Sequence, residues 1–164
     1  MYREDLHVVF RLSQNINFSL AMKDNFDKKK AMERLKKVMF VNALSSGATG
    51  LLLIVLSENI AELFKVSNGI PLVAVGAFLV AFACLVYYAS RRSQAKPRGV
   101  KLVITLDIIW VLVSVLILIT DAFRLSPVGN LAVSLVAIWV ALMAYLQHRY
   151  LREGSSNTKN LVNT

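Results

Sequence analysis

The chain has 164 residues, of which 56% are hydrophobic and only 18% charged, yet its formal net charge is +9. An average soluble domain is about 25% charged, so apolar and basic residues must be segregated along this chain. The apolar content excludes a disordered chain, and a lone cysteine, Cys84, excludes a disulfide scaffold.

Residues 1–37 precede the first apolar block and contain no packed domain by pattern. Residues 1–21 show no clear period. The stretch 23–37 (KDNFDKKKAMERLKK) predicts a short charged helix, continuous with the block that follows, with Ala31, Met32 and Leu35 toward the membrane surface. Met22 is a second candidate start, because the chain from there is a four-span protein. A cleaved signal peptide is not expected, since the first apolar block comes late and is longer than an h-region.

Four apolar blocks follow: 38–56, 70–90, 102–120 and 127–147. Each supplies the roughly 20 residues that cross a hydrocarbon core of about 30 Å. Asp107 is the one charge inside any of them. Soluble helices keep a polar face, and these blocks do not. In lipid the backbone satisfies its own hydrogen bonds, so helices are predicted. Alternating β-barrel strands are absent from the pattern. Between the first two blocks, Ile60, Leu63 and Phe64 fall at i, i+3 and i+4, which predicts a short interfacial helix. Ser67-Asn68-Gly69 breaks it, and Pro71 opens the second span. Residues 121–127 form a tight turn, and the polar tail from Gly154 is expected to be disordered.

The basic residues fall on one side of this pattern. Nine precede the first block, five lie in the middle loop (Arg91, Arg92, Lys96, Arg98, Lys101), and Arg149, Arg152 and Lys159 follow the last. The other two loops hold Lys65 and Arg124, so 17 of 19 share a face. The positive-inside rule places that face in the cytoplasm. The expected fold is therefore an all-α integral membrane four-helix bundle with both termini cytoplasmic, in a cell inner membrane. The basic face fits anionic lipid headgroups as a partner. No loop is long enough for a nucleic-acid-binding domain.

Small residues permit close helix approach in lipid. The expected packing positions are Gly47 and Gly50 on the first span, Ala77 and Ala81 on the second, and Ala137 and Ala141 on the fourth. Ala74, Ala77, Ala81 and Cys84 share their 3, 4, 3 spacing with Ser134, Ala137, Ala141 and Ala144. Such stripes point to packing within the chain, or more sharply to a homo-oligomer or a membrane protein partner. Repeated Tyr-x-x-x-Arg endings (Tyr88/Arg92, Tyr145/Arg149) raise a duplicated hairpin. The tyrosine pairs and the small-residue stripes differ in offset, however, so the repeat is not established.

Asp107 is the main functional candidate, because an ionisable group costs about 2.5–3.5 kcal/mol at a span centre. It lies six residues past Lys101, roughly 9 Å along a helix. It is expected to face inward with Asn42 and Ser114, joined by Tyr88 and Tyr145 near the interface. One reading has it reaching water or bonding Asn42 and Thr105, fixing helix register. The other makes it a protonatable site for a proton-linked carrier of a small solute. Trp110 and Trp139 are expected in the bundle core. His7 and His148 lack a second ligand at metal spacing, so no metal or other cofactor is expected. No nucleophile–base pair, phosphate loop or catalytic carboxylate pair is present, so no enzyme is expected.

The run Val41-Asn42-Ala43-Leu44-Ser45-Ser46-Gly47 through Gly50, and Leu106-Asp107-Ile108-Ile109-Trp110-Val111, are similar to spans of small bacterial four-span membrane proteins without assigned function. The resemblance covers about residues 35–150. It implies a bacterial inner-membrane protein and carries no activity. Small multidrug transporters, also four-span, are known for a glutamate in the first span, where this chain has Asn42. The leading expectation is a non-enzymatic membrane protein acting through helix packing, as a subunit or homo-oligomer.

Overall fold

No glycine or proline occurs before Gly47, and the Lys, Arg, Glu and Leu of 28–37 are good helix formers. Nothing therefore stops a helix from entering the first apolar block from far upstream. In the computed structural model that helix, α1 (Tyr2–Val55), is 54 residues long, or about 80 Å. The structure describes residues 2–91, 97–121 and 123–155. Four further helices follow: α2 (Ser57–Phe64), α3 (Ile70–Arg91), α4 (Pro97–Thr120) and α5 (Pro127–Ser155). No strand occurs among the described residues. Residues 2–21, which show no period in the sequence, form the first turns of α1. Polar tail residues 156–164, expected to be disordered, lie outside the described residues.

Of these helices, α1, α3, α4 and α5 are long and apolar enough to cross a membrane. Their polarity is inverted relative to a soluble bundle. Leu44, Leu51, Leu112, Leu116, Ile119, Leu131, Leu135 and Ile138 are exposed, while Asn42, Asp107 and Gln147 are buried. An apolar surface around an interior that shelters these polar groups suits a hydrocarbon solvent and would aggregate in water.

Each helix buries one stripe at helical spacing. On α1 it runs Ala31, Leu35, Met39, Asn42, Ser46, Gly50, and on α5 Ala137, Val140, Ala144, Gln147, Leu151. The arm of α1 before this stripe is exposed from Phe10 to Asp27. The two hairpins, α1 with α3 and α4 with α5, pack closely, and α1 also packs on α5. Backbones of α3 and α4 stand further apart. Large side chains bridge that gap, with the Phe78 and Trp110 rings stacked at 5.9 Å between centroids. This leaves α1 and α4 on a diagonal.

The α1–α3 crossing is set by two glycines. A Cβ built at Gly50 would stand 2.7 Å from the Gly76 carbonyl oxygen, and one at Gly76 the same distance from that of Gly50. At Gly47 a Cβ would meet Ala83 at 3.3 Å. Small residues here admit backbone against backbone.

Three of the six expected packing positions, Ala77, Ala81 and Ala141, face away from this bundle. Ala77 and Ala81, with Ala74 and Cys84, lie on the exposed side of α3. The inward side of that helix is Gly76, Leu79, Phe82, Ala83, Val86 and Ser90. On α5, Ala137 and Ala144 are buried but Ala141 is exposed. Residue size marks where helices can approach, and the register with larger buried neighbours decides which side does.

The predicted interfacial helix is α2. Ala61 is its buried residue, and Lys65, in the left-handed conformation at φ 59°, ends it. Ser126 ties α2 to α5. Its hydroxyl donates to the Leu63 carbonyl at 2.8 Å and accepts from the Gly129 N–H at 3.1 Å. Ser126 is thus the N-cap of α5, with Pro127 at the first helical position. Replacing Ser126 with Ala removes both bonds. The expected cost is about 1 kcal/mol, read as a lower unfolding midpoint in detergent.

Candidate functional site

Four polar residues inside the bundle, carried by three helices, come together: Asn42, Ser46, Asp107 and Gln147. Asn42 on α1 donates its Nδ2–H to Asp107 Oδ2 on α4 at 2.9 Å. Gln147 on α5 donates its Nε2–H to the same oxygen at 3.4 Å. Ser46, one turn along α1 from Asn42, donates to Asn42 Oδ1 at 3.5 Å. Exposure is 0% for Asn42, 1% for Asp107 and 0% for Gln147.

Helical spacing explains the convergence. Asp107 falls on the α4 stripe with Val100, Val103 and Ser114, and Gln147 on the α5 stripe between Ala144 and Leu151. Toward the end where α1 enters the bundle, an apolar cluster closes the site. Leu35, Met39, Val86, Val100 and Val103 pack there with Leu151, all nearly or fully buried. Asp107 is therefore shielded on that side and does not reach water through it.

Two polar atoms stand out. The Gln147 Oε1 and Trp110 Nε1 atoms are buried and have no hydrogen-bond partner among the described residues. Buried polar atoms are otherwise nearly always paired. Gln147 was missed in the sequence because it closes the last apolar block, where a polar residue reads as the span's end. Its spacing of three from Ala144 and four from Leu151 was the available signal.

Other expected members lie elsewhere. Ser114 is buried, but its hydroxyl bonds back to the Trp110 carbonyl at 2.9 Å within α4. Thr105 is exposed and bonds the Lys101 carbonyl, so it is not a partner of Asp107. Tyr88 and Tyr145 are exposed and take no part in the cluster. Trp110 is half-buried against Phe78. Trp139 is exposed rather than in the core, its Nε1–H donating to Ser45 Oγ at 3.2 Å. An indole on the outer surface fits a lipid-facing helix, where the large ring need not displace core residues.

Apart from this site, an ion pair at the helix end joins Arg149 and Glu153 at 2.9 Å. Both groups are largely exposed, so the pair adds little stability. No cluster of His, Cys, Asp and Glu that would hold a metal occurs among the described residues. An all-helical chain with four membrane-length apolar helices around a buried polar centre defines the class: a small multi-pass membrane protein. No family model, curated protein or solved structure matches the chain.

Proposed function

We propose that the chain is a non-enzymatic inner-membrane protein that acts through helix packing, as a subunit of a larger assembly or a small homo-oligomer. The observation that carries this reading is the Asn42–Asp107–Gln147 contact. It joins α1, α4 and α5 by side chains that engage one another, and such contacts specify register. The surrounding surface at span height is apolar, ready for lipid or for another membrane helix. Mild solubilisation of native membranes tests this. A stoichiometric partner or a defined oligomer supports it, and a monodisperse monomer without partners contradicts it.

In this reading the basic end faces the cytoplasm, where 17 of 19 basic residues gather against anionic headgroups. A reporter that matures only in the cytoplasm, fused at residue 164, is expected to be active. The same reporter placed at Asn68 is expected to be silent. The reverse pattern sinks the orientation.

A second reading is favoured by one observation: Asp107 is buried at span depth without a basic partner among the described residues. An intramembrane carboxyl of this kind marks ion or proton pathways. On that basis the protein is a proton-linked carrier of a small solute. Proton or solute flux in liposomes, abolished by Asp107→Asn, distinguishes it from the first.

A further inference from the structure

We propose that Asp107, Gln147, Asn42 and Ser46 form a binding site for a single monovalent cation, a proton or a sodium ion. The proposal deepens the second reading above, but binding itself does not require transport.

Charge comes first. An ionised carboxylate taken out of water is costly unless a positive charge or several strong donors compensate it. Here the only compensation described is two neutral amides on one oxygen, Oδ2. The titratable groups on the packed helices do not supply it. Lys37 on α1, Arg91 on α3, Lys101 on α4, and His148 and Arg149 on α5 are exposed, and Lys36 is half-exposed. The apolar cluster of Leu35, Met39, Val86, Val100, Val103 and Leu151 fills the bundle at that end.

Donor atoms come second. Gln147 is fully buried, and its Oε1 is unpartnered although its Nε2 reaches Asp107. That oxygen belongs to the same amide that reaches Asp107, and a cation held there would give it a partner. Asn42 Oδ1 holds one long bond from Ser46, at 3.5 Å, which leaves acceptor capacity on both residues. Side-chain oxygens from α1, α4 and α5 are the donor type that hard cations take. A proton would sit on the carboxyl, with its O–H donated to an amide oxygen. A sodium ion would sit between the oxygens.

The test uses full-length protein in nanodiscs of neutral lipid. Unfolding midpoints are recorded against NaCl, with choline chloride holding ionic strength constant. Infrared spectra read the protonated-carboxyl band. Variants are Asp107→Asn and Gln147→Leu, with Gly99→Ala as a folding control. A sodium-dependent rise in midpoint, lost in Asp107→Asn and shifted to about tenfold higher sodium or more in Gln147→Leu, supports the site with sodium as occupant. A protonated-carboxyl band without sodium dependence, absent in Asp107→Asn and displaced in Gln147→Leu, supports it with a proton. An absent band together with sodium-independent stability overturns it. Flux in liposomes is scored separately: binding without flux ends the carrier reading and leaves the site standing.

Discussion

Replacing Gly50 with Val is expected to give one of the two largest losses of stability of any single substitution in this chain. The added side chain would begin 2.7 Å from the Gly76 carbonyl and about as close to Leu79 and Val80, at 3.0 Å each. Side-chain tips can yield, but the carbonyl belongs to the α3 backbone, so the helices must separate. Overpacking of this kind costs about 1–3 kcal/mol. Separation of α1 from α3 would also loosen the Gly47–Ala83 contact. The Gly76→Val change is expected to act equally, because the approach is reciprocal. Gly99→Ala is the control, since nothing lies within 4 Å of its Cβ position. Unfolding by SDS titration from mixed micelles measures all three. A Gly50→Val protein as resistant as the parent would show that the crossing is looser than described.

The other large effect is expected at Asp107, and its sign depends on the replacement. Asp107→Leu leaves the Asn42 and Gln147 amides buried with no acceptor, at about 1–3 kcal/mol for each orphaned group. Asp107→Asn keeps an oxygen for Asn42 and brings an N–H that the orphan Gln147 Oε1 can accept. It also removes a charge from the interior. The expected order of stability is therefore Asn at or above Asp, with Leu well below both. If Leu is tolerated as well as Asn, the three-helix contact contributes nothing to folding.

Much of this is legible in the sequence. The four apolar blocks became four helices because length and hydropathy are properties of each segment alone. The pairing of Asn42 with Asp107 followed from equal depth: each lies five or six residues beyond a basic cluster, on helices that run in the same direction. Other features depended on relations between helices, which one sequence does not display. The exposed stripe of Ala74, Ala77, Ala81 and Cys84 has the same spacing as a buried one. The close approach of Gly50 to Gly76, together with the larger Leu79, Phe82 and Val86 on the same side, turns those residues out. Gln147 was hidden by its place at the end of a block, because the bundle continues past the apolar segment. Leu151 on α5 packs there against Leu35 and Met39 on α1. Hydropathy likewise marks where lipid contact stops and says nothing of where a helix stops. This is why α1 runs to Tyr2 while its apolar block begins at residue 38.

The account turns on Asn42 and Asp107 touching across the bundle diagonal. A double-mutant cycle reads that contact directly, with Asn42→Ala, Asp107→Ala and the pair unfolded under one condition in the same detergent. Residues in contact show coupling of about 0.5–3 kcal/mol, whereas separated residues add within about 0.3–0.5 kcal/mol. The hydrogen bond at 2.9 Å predicts coupling in the first range, with the double variant less damaged than the two losses summed. Strict additivity would contradict it.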